Sequence, residues 1–160
     1  MSASKPRGFT TAILHSDEEG GVEHGALHKP LHLSVAYGYK DARDLAAVFQ
    51  GRAQGYSYGR QGNPTAAALE AKVTKMEDGV ATICFATGMA AIGAAMLSLL
   101  RQGDHVVASQ FLFGNTVSLF GTLAAHGADV TFVDATDAAC VEGALKPSTP
   151  LVFVEAIAKP

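Results

Sequence analysis

Three short stretches of this 160-residue chain carry residues whose chemistry goes beyond packing. The first is Thr87-Gly88-Met89. It follows the apolar run Val80, Ile83, Cys84 and Phe85 and leads into Met89, Ile92, Met96 and Leu99 at helical spacing, so strand, tight turn and helix are expected over 80–100. A glycine at such a turn lets backbone come close to a ligand. The unpaired N–H groups of the helix's first turn, at the positive end of its dipole, favour an anion there. Most strand-to-helix turns bind nothing, however, and no G-x-G-x-x-G or P-loop pattern accompanies this one.

The second stretch is the glycine-rich loop Gly51 to Thr65, GRAQGYSYGRQGNPT, which holds Tyr58 and Arg60 in non-helical backbone. A phenol O–H beside a guanidinium can bind an anion, and the same residues equally suit packing and solvent. The third stretch places Phe111 and Phe113 beside Gly114. Both rings can anchor a core, or one can stack on a flat ligand. A phosphate cradle with a stacking ring suggests a phosphorylated aromatic cofactor.

The elements that position these residues follow from pattern. Residues 1–49 show no long period and read as an extended arm with one helix at 41–50, capped by Asp41 and apolar at Leu45, Val48 and Phe49. Asn63 and Pro64 open a helix with Ala66, Leu69, Val73 and Met76 as its buried stripe and Glu70, Lys72 and Lys75 toward water. Beyond residue 100, strands at 105–109, 130–133 and 151–155 alternate with helices opened by Asn115 and Asp137, the first ended by Gly127 and the second stopped by Pro147. With the strand at 80–85 this makes a doubly wound parallel α/β sheet, whose ligands sit outside the carboxyl ends of the strands.

Composition narrows the partners. The net charge of −3 offers no basic field for nucleic acid or an anionic membrane. No charge interrupts residues 79–100, a length that could cross a bilayer, but its Ala, Gly, Thr and Ser content and its change of period favour a buried segment. Cys84 and Cys140 form no C-x-x-C pair and are expected as packed thiols. His24, His28 and His32 recur every fourth residue, but Pro30 and Gly25 break the helix that would align them, so no metal site is expected. The first residues lack a signal peptide's apolar core, so a cytoplasmic setting is expected.

Five ordered blocks carry a resemblance: Tyr58 to Thr65 (YGRQGNPT), Thr87 to Ala91 (TGMAA), Gly103 to Val107 (GDHVV), Phe113 to Thr116 (FGNT) and Val152 to Glu155 (VFVE). Together they resemble the N-terminal part of the Cys/Met metabolism family of pyridoxal-phosphate enzymes. The resemblance implies the first portion of a type I, aspartate aminotransferase-like large domain, a parallel-rich sheet with helices on both faces. Residues 1–50 would form the arm and 51–160 the first part of that domain. Tyr58 and Arg60 match the pair that reaches the cofactor phosphate of a neighbouring subunit, which implies self-association as a dimer or tetramer. Gly88 and Met89 match the amides that hold the phosphate in the subunit's own site, and Thr87 sits where a serine is common. Phe113 stands where a ring-stacking tyrosine is usual, so stacking is kept and the phenol is lost. Lys159 replaces an asparagine expected near the ring hydroxyl and the substrate carboxylate.

The resemblance also implies that the lysine forming the Schiff base, and the aspartate on the pyridine nitrogen, lie beyond Pro160. No catalytic residue is therefore assigned within the chain, and the chain alone is expected to be inactive. The implied activity of the complete enzyme is pyridoxal 5′-phosphate-dependent trans-sulfuration, a γ-replacement on O-acetyl- or O-succinylhomoserine that gives homocysteine or cystathionine. The alternatives are a cystathionine or methionine lyase acting by elimination, or a non-catalytic module that binds a phosphorylated ligand.

Overall fold

The computed structural model describes residues 8–16 and 21–157. Two compact units divide the chain, one ending at Cys84 and the other beginning at Phe85.

In the first unit the helices form where local signals put them. α1 spans Phe9–Leu14 and a 3-10 turn Glu23–Gly25. α2 spans Ala42–Phe49, and Asp41 caps it by accepting the Arg43 N–H at 2.8 Å. α3 spans Pro64–Met76 behind Asn63, whose Oδ1 accepts the Thr65 N–H at 2.8 Å. It ends at Asp78, which takes the left-handed conformation with φ 49°.

The expected stripe on α3 is not buried, since Leu69 is 53% and Met76 46% exposed. A helix buries its stripe only against an opposing element. In this unit α3 meets the six-residue α1, and Ala67, Ala68 and Ala71 line a cavity. The expected strand at 80–85 is also absent. These residues take no regular secondary structure, Val80 is fully exposed and Ile83 74% exposed, and among the described residues no strand pairs with them. A strand is defined by a ladder partner, not by its composition. Side chains of α3 hold the stretch instead: Glu70, which the pattern turned toward water, accepts the Cys84 N–H at 2.9 Å, and Thr74 meets Thr82 at 2.8 Å.

The second unit is the parallel sheet. α4 (Gly88–Leu99), β1 (His105–Ser109), α5 (Gly114–Ala125), β2 (Asp129–Val133), α6 (Ala138–Ala144) and β3 (Leu151–Phe153) follow in order. The strands lie in the order β2-β1-β3, with Val106 opposite Val130 on one side and Leu151 on the other. β1 is buried at every residue, so both of its faces are covered. Met96 of α4 and Phe120 and Leu123 of α5 pack with Val106 and Ala108, and Phe120 meets Phe153 at 5.3 Å and Phe132 edge-on at 6.3 Å. Gly127, with φ 96°, closes α5.

At the amino end of β1, His105 is fully buried between the Thr149 and Thr131 hydroxyls at 2.6 and 2.8 Å. It is a packing histidine, at the opposite end of β1 from the carboxyl ends of the strands. Cys140 is exposed where a packed thiol was expected. Its pKa is raised by partial desolvation and by the Asp137 carboxylate 3.7 Å from Sγ. No helix among the described residues is long and apolar enough to cross a membrane.

Candidate phosphate-binding site

α4 starts with donors to spare. Thr87 is extended (φ −146°, ψ 156°); its Oγ1 accepts the Ala90 N–H at 3.0 Å and its carbonyl the Ala91 N–H at 3.1 Å. The N–H groups of Gly88 and Met89 have no partner within a helix. They have none elsewhere among the described residues either. Thr87 and Gly88 are exposed, no acidic residue lies in the first turn, and a Cβ built on Gly88 would meet nothing within 4 Å. The turn is thus an open pair of amides at the positive end of a twelve-residue helix.

The neighbouring helix start is already filled. Phe113 precedes α5 without a side-chain cap bond. Glu155, just past β3, supplies the missing acceptor: its carboxylate takes the Phe113 N–H at 2.9 Å and the buried Thr116 hydroxyl at 2.8 Å. The same Thr116 oxygen lies 4.0 Å from the Met89 sulfur, so the first turns of α4 and α5 are neighbours. Of two adjacent helix starts, the chain neutralises one with its own carboxylate and leaves the other open. Beside them, Ser109, Phe111, Ala135, Thr136, Val154 and Glu155 line a cavity of about 490 Å³ at the carboxyl ends of all three strands. Phe113 stands outside that lining, with its residue 39% exposed.

Tyr58 and Arg60 lie in the first unit. The Arg60 guanidinium sits 5.1 Å from the Tyr58 ring centroid. Tyr58 forms an antiparallel bridge with Ala36, and its carbonyl accepts the N–H groups of Gln61 at 2.9 Å and Gly62 at 3.1 Å. Within the second unit the structure gathers Thr87, Gly88, Met89 and, through Thr116, Phe113; within the first it sets Arg60 over the Tyr58 ring. Lys159 lies outside the described residues. Pattern reasoning passed over Thr116 and Glu155 as site residues. The signals for Glu155 were its place in the last of the five sequence blocks and at the carboxyl end of the expected strand 151–155.

The chain is similar to several known proteins. An L-methionine gamma-lyase of Treponema denticola is 34% identical over 156 residues, covering 96% of this chain and 38% of the lyase. An O-acetyl-L-homoserine sulfhydrylase of Corynebacterium glutamicum is 35% identical over 155 residues, covering 96% and 36%. A candidate O-acetylhomoserine (thiol)-lyase of Campylobacter jejuni, whose crystal structure carries N′-pyridoxyl-lysine-5′-monophosphate, superposes with a TM-score of 0.86 at 27% identity over 97% of this chain and 38% of its own. The chain thus spans well under half the length of each. The Cys/Met metabolism PLP-dependent enzyme profile matches residues 10–160, nearly the whole sequence. With that match, the chain belongs to the Cys/Met metabolism family of PLP-dependent enzymes.

Proposed function

We propose that this chain forms the phosphate-holding part of a pyridoxal 5′-phosphate-dependent enzyme of sulfur amino-acid metabolism. The observation that carries this reading is the contrast between the filled start of α5 and the open start of α4. Gly88 and Met89 hold the cofactor phosphate by their N–H groups, Thr87 fixes the turn, and Phe113 offers its ring to the pyridine face. Tyr58 and Arg60 act as an anion clamp on the phosphate of a second copy, and Lys159 stands near the ring hydroxyl and the substrate carboxylate. When bound, the cofactor supplies an electron sink that acidifies the α-hydrogen of an amino-acid substrate. The chain's own part is to bind and orient the ring.

The reaction of the complete protein is a γ-replacement on an O-acylhomoserine, supported by the sulfhydrylase relative and by Phe113, which provides stacking without a proton-bearing phenol. The methionine gamma-lyase relative favours γ-elimination as the second reading. We further propose that residues 1–50 form an arm and 51–160 the start of the cofactor domain. The complete protein works as a dimer or tetramer in the cytoplasm, in methionine biosynthesis.

Calorimetric titration tests the site. Pyridoxine 5′-phosphate has ring and phosphate but no aldehyde to react with surface lysines. It should bind at least about tenfold more tightly than pyridoxine, one charge-assisted bond's difference. Equal affinity for the two would refute the phosphate site.

A further inference from the structure

The loop that carries Tyr58 and Arg60 is tied to the arm as well as to itself. It meets the arm through the Ala36–Tyr58 bridge, the Gly59 N–H on the Val35 carbonyl at 2.7 Å and the Tyr37 N–H on the Ser57 carbonyl at 3.1 Å. A two-stranded contact this short is not stable alone in water. The Tyr39 hydroxyl adds a bond to the Tyr56 carbonyl at 2.9 Å, and a further fastening lies at the start of α3. Asn63 Nδ2 faces the His32 carbonyl at 3.1 Å, the Tyr37 hydroxyl at 3.2 Å and the Ser34 carbonyl at 3.4 Å. Thr65 Oγ1 accepts the His32 N–H at 2.8 Å. Both backbone groups of His32 are thus held by the first residues of α3. The arm they secure is the segment that pairs with Tyr58 and Gly59.

A helix cap needs only the Asn63 Oδ1, which the Thr65 N–H occupies. The amide nitrogen faces three oxygens of the arm, a task that capping does not require. We infer that Asn63, with Thr65, is a positioning residue: it fastens arm residues 32–37 to α3 and thereby sets the place of the Tyr58–Arg60 loop. Asn63 does this without any hydrogen bond to Tyr58 or Arg60. The inference rests on the reading of those two residues as an anion clamp.

Asn63→Ser separates the two roles, because serine caps a helix as well as asparagine but lacks the amide that spans to the arm. In the full chain its thermal midpoint should stay within a few degrees of wild type. The Gly59 amide, which reports the loop's bond to Val35, should exchange about tenfold faster. The inorganic phosphate concentration that half-shifts the Arg60 Nε–H resonance should rise about threefold as the clamp loses its preorganisation. Thr65→Val, which removes the second fastening, should move both readouts the same way, and Thr65→Ser should restore them. Gly59 exchange and phosphate response unchanged in Asn63→Ser would overturn the inference. A wild-type Arg60 resonance that phosphate does not move would overturn the clamp reading alone, because Gly59 exchange still decides whether Asn63 holds the loop.

Discussion

Replacing Gly88 with proline deletes one donor from the open start of α4 and little else. Gly88 is the first helical residue, where an N–H has no intrahelical partner and proline's fixed φ suits the chain. Proline also constrains the residue before it to extended backbone, and Thr87 at φ −146° and ψ 156° is already there. A Cβ at this position meets nothing within 4 Å, and the Thr87 bond to the Ala90 N–H is untouched. At a compatible site proline stabilises by about 0.4–1 kcal/mol through the unfolded state, so the thermal midpoint should hold or rise. The amide's bond to a phosphate oxygen, worth about 1.5–3 kcal/mol, is lost. That corresponds to roughly a 10- to 150-fold weaker affinity for pyridoxine 5′-phosphate, with the weaker binding of pyridoxine unchanged. Calorimetry on the variant, with circular dichroism to show that its helices persist, reads both quantities. A folded Gly88→Pro protein that binds the phosphate ester as wild type does would refute the cradle. So would an equal loss for pyridoxine, because the defect would then lie elsewhere than at the phosphate.

Three further substitutions probe what surrounds the two sites. Glu155→Ala strands the Thr116 hydroxyl, 1% exposed, and uncaps α5; a loss of about 1–3 kcal/mol is expected in the urea midpoint, and an unchanged midpoint would refute the bracing role. Gly55→Ala places a Cβ 2.4 Å from the Tyr39 oxygen and 2.9 Å from Val48 Cγ2. Relief breaks the Tyr39 bond to the Tyr56 carbonyl, and denaturant melts should show a cost of about 1–3 kcal/mol. The hydrogen bond from Lys146 Nζ, at 2.5 Å, holds the Asp129 carboxyl below the ordinary aspartate value near 3.8. The folded carboxyl ionises more readily than the unfolded one, so the link stabilises above about pH 4 and fades as pH falls below it. Lys146→Met should flatten that acid limb of the stability profile, and by less at high salt since both groups are exposed; an unaltered limb would refute it.

What could be read from the sequence divides by distance along the chain. The caps at Asp41, Asn63 and Asp137 were legible because each acceptor bonds an N–H two residues away. The strands at 105–109 and 130–133 were legible from β-branched runs between turns. The stretch at 80–85 has the same composition and failed, because pairing is decided by a neighbour that no local pattern encodes. The α3 stripe failed for the same reason. Thr87, Gly88 and Met89 were found as a turn of the right type, but which helix start stays open depends on Glu155, 42 residues from the amide it accepts.

The missing strand changes what must be credited with aiming α4. A strand-to-helix turn ordinarily inherits its direction from the sheet, yet residues 80–86 pair with no strand among the described residues. Inside the second unit α4 is held from its other side. Met96 is buried against α5 and β1, Ile92 and Ala95 pack on the same cluster, and Met89 touches Thr116 at the open end. Burying an apolar side chain of this size contributes about 1.5–3 kcal/mol, more than the cap bond that Thr87 adds. The direction of the Gly88 and Met89 amides is therefore set by α5, and α5 is in turn braced at its own start by Glu155. The Glu155 carboxylate thus bears on two helix starts. It neutralises that of α5, and through Thr116 and Met89 it fixes where the unfilled donors of α4 point.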